Sequence, residues 1–210
     1  MSLRLGIIGA GKLGTAIGRL ALEAGHEVRL SGSPRQPLLA LVIETVLPGA
    51  RLLPEAEVVA ASDVVVLAVP FGKSGSIDFA ALSGKVVVDA MNAWEAAGGH
   101  PDPDWDGTTS SLIAANNPGM RLVKSLNHLG YTDLGATRQD PGHPLRRAIA
   151  VISDDLAARA VVAGLVESIG FDAVEAGRGA SRCVEPYSPF FGRPLAAAEL
   201  RAALRSAPKG

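Results

Sequence analysis

Leu3-Arg4-Leu5-Gly6-Ile7-Ile8-Gly9-Ala10-Gly11-Lys12-Leu13-Gly14, residues 3–14, runs from an apolar strand into a glycine-rich turn, and Thr15 to Ala24 continue it as a helix-like run. Each glycine has a task in such a strand–turn–helix. Gly9 makes the tight turn, Gly11 lets a pyrophosphate approach the backbone, and Gly14 lets the helix pack closely on the strand. The unpaired N–H groups and positive dipole end of the helix then point at the anion. Lys12 adds charge beside them, and Ala10 and Leu13 complete the motif. The reading is a dinucleotide-binding turn opening an α/β, Rossmann-type doubly wound parallel sheet.

The following strand, Glu27 to Leu30, ends in Ser31-Gly32-Ser33-Pro34-Arg35. An NAD-preferring site places an Asp or Glu about 20 residues after the turn, on the ribose hydroxyls. Here no carboxylate is present to repel a 2′-phosphate. Ser31 and Ser33, on either side of Gly32, offer hydroxyls, and Arg35 offers a planar fork of charged donors. The expected nucleotide is NADP(H).

Apolar segments rich in valine and isoleucine alternate with longer helical patterns, the signature of a parallel sheet covered on both faces. Strands are expected at 3–8, 28–30, 51–53, 64–69, 85–89, 121–125 and 148–152, the first six forming the doubly wound sheet. Helices are expected at 12–24, 38–46, 55–60, 110–116, 154–169 and 196–204. Asp154 and Asp155 open the fifth helix and Gly170 closes it; Leu156, Ala160, Ala163, Val166 and Ile169 read as its buried stripe. Residues 93–109 and 127–144 resist regular assignment, and long loops of this kind are more often functional than idle. The chain is expected to divide into a nucleotide-binding domain, 1–150, and a small C-terminal α/β part, 151–210, that completes the second-substrate pocket and the dimer contacts.

With 210 residues and a formal net charge of −1, the chain has no basic runs that would mark a nucleic-acid partner. Its longest apolar run falls short of the eighteen or so residues needed to cross a bilayer, and because the N-terminus leads directly into the first strand no signal peptide is expected. A cytoplasmic protein without a membrane partner is expected. Cys183 is the one cysteine, so no internal disulfide forms, and His26, His100, His128 and His143 stand too far apart for a metal motif.

In open parallel sheets, ligands bind beyond the carboxyl ends of the strands, where strand order reverses. Three such ends should surround a nicotinamide: Ala68-Val69-Pro70-Phe71, Asp89-Ala90-Met91-Asn92 and Ser125-Leu126-Asn127-His128. Val69, Pro70 and Phe71 supply an apolar surface for the ring, and Asn92 and Asn127 can bond its carboxamide or the second substrate. His128 is the histidine best placed to donate a proton near neutral pH or to position the acceptor. No nucleophile, base and orienter can be picked out. That absence suits hydride transfer, where most of the rate comes from holding donor and acceptor carbons roughly 3–3.5 Å apart.

Leu5 to Gly14, the Ser31-to-Arg35 turn, Ala68-Val69-Pro70 and Leu122-Val123-Lys124-Ser125-Leu126-Asn127 together resemble the NADPH-dependent F420 reductase family, the F420H2:NADP oxidoreductases. So does the tail, with Ala176-Gly177, Gly179-Ala180-Ser181-Arg182, Glu185 and Pro194 to Leu200. The resemblance implies a homodimeric Rossmann protein passing hydride between NADP(H) and a deazaflavin, coenzyme F420, held over the nicotinamide. It places NADP on Gly9 to Gly14, Ser31, Ser33, Arg35 and Val69 to Phe71, and the deazaflavin near Asn92, Asn127, His128 and Arg182. Two departures stand out: archaeal-type members carry a histidine where this chain has Asn127, and the 93–109 segment brings in Trp94 and Trp105, which can stack on a flat substrate or cap the core.

Other readings stay open at this point. The acceptor can be a flavin such as FMN, or a small molecule with an imine or carbonyl group. A pyrroline-carboxylate type of imine reductase needs a helical dimerisation domain, which is not expected in the sixty or so residues after Ala150. A non-catalytic NADPH sensor would bind nucleotide without turnover.

Overall fold

The valine-rich runs become the inner strands of one eight-stranded sheet, in a computed structural model that describes residues 2–33, 37–94 and 108–206. The elements are β1 (Arg4–Ile8), α1 (Lys12–Glu23), β2 (Glu27–Ser31), α2 (Leu39–Val46), β3 (Arg51–Leu52), α3 (Glu55–Ala60), β4 (Val64–Leu67), β5 (Val86–Asp89), α4 (Thr109–Asn116), β6 (Arg121–Ser125), α5 (Tyr131–Thr137), β7 (Ala148–Ile152), α6 (Leu156–Ser168), β8 (Asp172–Ala176) and α7 (Ala197–Arg205). Strand order is β3-β2-β1-β4-β5-β6-β7-β8. The first six strands are parallel and follow the doubly wound order.

Every residue of β4 and β5 is buried, because helices cover both faces. Alternation along the strands sorts the core into two layers. Leu5, Ile7, Val64, Val66, Val86 and Val88 face α1, α5 and α6, whereas Ile8, Val65, Leu67 and Val87 face α3 and α4.

The carboxyl-terminal part is the expected small α/β extension, with details the sequence did not specify. β7 runs antiparallel to β6, and β8, an eighth strand, pairs parallel with β7 at the sheet edge. Sequence did not announce β8, because an edge strand with one fully buried position, Val174, lacks the apolar run of a central strand. Position 150, the expected domain boundary, falls inside β7, so the sheet continues across it. Beyond it, α7 packs Leu200 and Leu204 over Ala148, Ala150 and Val174.

The N-terminus of α6 is capped as the sequence suggests. Asp155 Oδ1 accepts from the Ala158 N–H at 2.9 Å, and its carboxylate takes the Arg121 guanidinium at 2.7 and 3.0 Å. The Arg121 hydrogen bonds hold that carboxyl well below the usual range. Of the expected stripe, Ala163, Val166 and Ile169 are buried, together with Ala158, Val162 and Leu165, whereas Leu156 is 67% exposed and Ala160 is exposed too. The cap sets the start of the helix one residue after Asp155 and rotates Leu156 toward solvent. Among the described residues no helix is long and apolar enough to cross a membrane.

Candidate nucleotide and acceptor site

Steric facts separate the three turn glycines. Gly9 has φ +118°, and a Cβ there would lie 2.5 Å from the Ala68 carbonyl oxygen. At Gly14 a Cβ would lie 1.9 Å from the Gly9 oxygen, so both positions are closed by backbone. A Cβ on Gly11 would meet nothing within 4 Å. That open space lies over the start of α1, whose N-cap is Gly11 itself, with no side chain capping its first turn. The free N–H groups and the room above them fit a pyrophosphate. Ala10 and Leu13 pack against the core beneath.

Lys12 departs from its expected place. Its ammonium donates to the Tyr131 hydroxyl at 3.3 Å and lies 5.3 Å from the Tyr131 ring centre, on the α1–α5 side. A groove of about 660 Å³ runs there between the two helices, lined by Lys12, Thr15, Arg19 and Tyr131. α5 itself was missed in the sequence: Tyr-Thr-Asp-Leu-Gly-Ala-Thr contains a glycine and two threonines, poor helix formers, and one buried anchor, Leu134.

A second cavity, of about 440 Å³, begins at Ile8 to Gly11 and extends past Ser31, Gly32 and Ser33 on one wall and Ala68, Val69 and Pro70 on the other. The Gly9 N–H donates to the Ser31 carbonyl at 3.0 Å, which fixes the end of β2 against the turn. Ser31 is buried and Gly32 is wedged against Leu39 and Ala10. Arg35 lies outside the described residues. Val69 and Pro70 do line the cavity, but Phe71 does not: it is buried in the layer under α3 and α4, because the chain turns inward into a 3-10 segment, Phe71–Ser76. Sequence reading passed over three residues of this wall, Glu55 at the start of α3 and Lys73 and Ser76 in the 3-10 segment.

At the ends of β5 and β6 the structure brings Asn92 and Asn127 together. Asn92 Nδ2 donates to the Asn127 carbonyl at 2.9 Å, and Asn127 Nδ2 donates to Asn92 Oδ1 at 3.0 Å and to the Val184 carbonyl at 2.6 Å. Leu126, just before, has φ +62°, a left-handed conformation costly for a side chain of this size. That turn carries Asn127 off the strand and into contact with the C-terminal segment.

His128 does not reach the cavity as a donor. It is buried, its Nε2 accepts the Ala150 N–H at 3.1 Å, and burial with the nearby Lys124 charge lowers its pKa to about 4. An acceptor role at Nε2 requires the neutral ring, so the expected proton donor near neutral pH is instead a structural clip between the end of β6 and β7. His26 also has a lowered pKa, chiefly from burial; it accepts the Leu3 N–H on Nδ1 and contacts Ser168 Oγ at 2.8 Å. Arg182 is exposed on the 3-10 segment Arg178–Val184.

Beneath the two asparagines lies a polar cluster that the sequence reading passed over. Lys124 Nζ, with no exposed surface, donates to the Met91 carbonyl and Thr109 Oγ1, each at 2.7 Å, and to Asp89 Oδ2 at 3.2 Å; Glu185 Oε1 is 3.4 Å away. Glu185 also accepts the Thr109 N–H at 3.0 Å, and Ser110 donates to Asp89 at 2.6 Å. Burial pushes the Glu185 carboxyl upward against the opposing pull of Lys124. The cluster ties β5, β6, α4 and the C-terminal segment into one corner. A lysine inside an otherwise apolar strand, Leu122-Val123-Lys124-Ser125, was the available signal. Above the corner, Trp94 meets Phe191 edge-on at 5.2 Å and Tyr187 at 5.9 Å; Trp105 and His100 lie outside the described residues.

Against known proteins, residues 4–93 match the family model described as NADP oxidoreductase, coenzyme F420-dependent. A hypothetical protein of Sinorhizobium meliloti superposes with a TM-score of 0.80 at 25% identity, over 93% of this chain and 96% of its own. A protein of Arthrobacter sp. FB24, described provisionally as an F420-dependent NADP reductase, gives 0.71 at 22% identity, over 97% and 90%. An imine reductase of Myxococcus stipitatus gives 0.61 at 17%, over 98% of this chain and 60% of its own. A comparison with curated proteins found no match. The family match thus spans residues 4–93, from β1 to just past the end of β5, and the chain is an NAD(P)-dependent oxidoreductase.

Proposed function

We propose that this protein transfers hydride between NADP(H) and a deazaflavin, coenzyme F420, as a cytoplasmic homodimer. The observation that carries the nucleotide half is the open space at Gly11 between two glycines closed by backbone, set over an uncapped helix start. Ser31 and Ser33 continue that cavity toward the adenosine, and Val69 and Pro70 offer an apolar wall toward the nicotinamide. The nicotinamide supplies or takes up the hydride when bound.

The deazaflavin half is supported by the family match and by the corner at β5 and β6. Asn92, half-buried, keeps one N–H and one lone pair beyond its bonds to Asn127 and can engage a ring carboxamide or a polar ring edge. Trp94, Tyr187 and Phe191 give that edge an aromatic wall for a flat acceptor. In this proposal Asn127 positions Asn92, and His128 fixes the backbone without exchanging a proton.

Anaerobic mixing of the protein with NADPH and oxidised F420, followed by deazaflavin absorbance, tests the reading, with NADH and FMN as parallel controls. Rapid bleaching with NADPH is the expected result. Turnover confined to FMN would reassign the acceptor, and tight NADPH binding without any turnover would favour a nucleotide sensor. Sedimentation equilibrium checks the dimer.

A further inference from the structure

Four of the five lysines lie within the described residues, and three of these have their ammonium committed. Lys12 is on Tyr131, Lys85 donates to the Ser62 carbonyl at 3.1 Å, and Lys124 is buried in the polar corner. Lys73 is exposed and makes no ion pair with the described residues. It nonetheless lines two adjoining cavities. One is the nucleotide cavity shared with Ser31 and Ser33; the other, of about 560 Å³, is lined by Ser33, Gly72, Lys73, Gly75 and Ser76. Ser33 and Lys73 are therefore on the two walls of one space, at the end farther from the nicotinamide.

The local chain is built to present that side chain. The Lys73 N–H donates to the Pro70 carbonyl at 2.8 Å, and Ser76 Oγ donates to the Lys73 carbonyl at 2.8 Å, so the turn is held by hydrogen bonds within itself that leave the Lys73 side chain out. Gly72 and Gly75 flank it without side chains, and a Cβ at Gly75 would meet nothing within 4 Å. The carboxylate in the lining, Glu55, has its Oε1 occupied by the Asp78 N–H at 3.1 Å.

We propose that Lys73 is a specificity residue for the adenosine 2′-phosphate: its ammonium, reaching across from the turn after β4, meets a dianion held on the other wall by Ser33. The proposal rests on the nucleotide reading above and is independent of the acceptor. It makes the choice of NADP over NAD a property of two loops, the one after β2 that carries Arg35 and the one after β4. A compact ammonium serves as a point charge for phosphate and needs no bidentate geometry.

The test is binding of adenosine 2′,5′-bisphosphate and of 5′-AMP, which differ by the 2′-phosphate alone, measured calorimetrically on the wild type, Lys73→Ala, Lys73→Glu and Lys73→Ala/Arg35→Ala. Lys73→Ala should weaken the bisphosphate about tenfold, the scale of one solvent-accessible charge-assisted contact. 5′-AMP should change less than about twofold. Lys73→Glu should weaken the bisphosphate further, and the double variant should bind the two probes alike. Equal losses for both probes, or undiminished discrimination in Lys73→Ala, would overturn the proposal. Failure of the wild type to bind either probe would overturn the nucleotide reading and this proposal with it, whatever acceptor assays give.

Discussion

Asn92 and Asn127 hold each other across the ends of β5 and β6 by two hydrogen bonds, one from each side-chain amide, while Asn127 also donates to Val184 in the C-terminal segment. The pair thus links the sheet edge to the part of the chain that brings Tyr187 and Phe191 over it. Asn92→Ala removes both mutual bonds but leaves the turn at Gly9 to Gly14 untouched. Acceptor turnover should fall at least tenfold while the NADPH dissociation constant moves less than about twofold, with a stability loss of about 1–3 kcal/mol. Steady-state kinetics, nucleotide titration and urea unfolding read the three quantities. Equal losses in nucleotide and acceptor binding would remove the pair from the acceptor side.

The glycines of the turn separate folding from binding. A side chain at Gly14 has to enter the Gly9 carbonyl, so Gly14→Ala should lower the melting temperature and soluble yield. Gly11→Val projects into open space, so it should leave the melting temperature within a few degrees while abolishing NADPH binding. Thermal unfolding and fluorescence titration of the two variants make the comparison. A Gly11→Val protein that still binds NADPH would dislodge the phosphate from this turn.

The polar corner under the asparagines gives a sharper energetic prediction. Lys124→Met leaves Asp89 and Glu185 buried without their cation, and loss of one partner of such a cluster costs about 3–5 kcal/mol. Glu185→Gln, whose amide can still bond Thr109, should cost less. In Lys124→Met/Glu185→Gln part of the loss should return, because one uncompensated charge has been removed. Urea unfolding of the four proteins closes the cycle, and strict additivity would show that Lys124 and Glu185 do not sense each other.

The fold was legible where a local rule dictated it. GxGxxG between a strand and a helix, and the valine runs of β4 and β5, each leave one physical solution, and the structure adopts it. Legibility failed where tertiary context decides. The direction of β7 depends on its neighbours, β8 is half exposed, and α5 has weak propensity. At the site, Val69 and Pro70 follow from strand-end geometry. Phe71 was misplaced because one 3-10 turn reverses its side chain into the core. Lys124 and Glu185 meet across 61 residues of sequence separation, 124 to 185, which no spacing rule joins. His128 has the right position at the strand end and the wrong environment, which composition does not reveal.

That environment sets a pH dependence. The folded-state pKa of His128 is about 4, below the ordinary value of 6.5, so between these limits the unfolded chain binds a proton that the native protein does not. Stability is then unaffected by His128 above pH 6.5 and falls as pH drops through the window from 6.5 to 4, by roughly 3 kcal/mol for a shift of this size. His26, also lowered, adds a loss of the same sign. In His128→Gln the amide can accept the Ala150 N–H without titrating, so the slope of unfolding free energy between pH 6.5 and 4 should shrink to the share left by His26 and the carboxylates. The same variant should retain turnover within about threefold of wild type at pH 7.5, since a neutral ring there carries no imidazolium proton to donate. Urea unfolding across that pH range and turnover at pH 7.5 are the two readouts. A collapse of turnover by several orders of magnitude in a variant that still folds would return His128 to the catalytic chemistry.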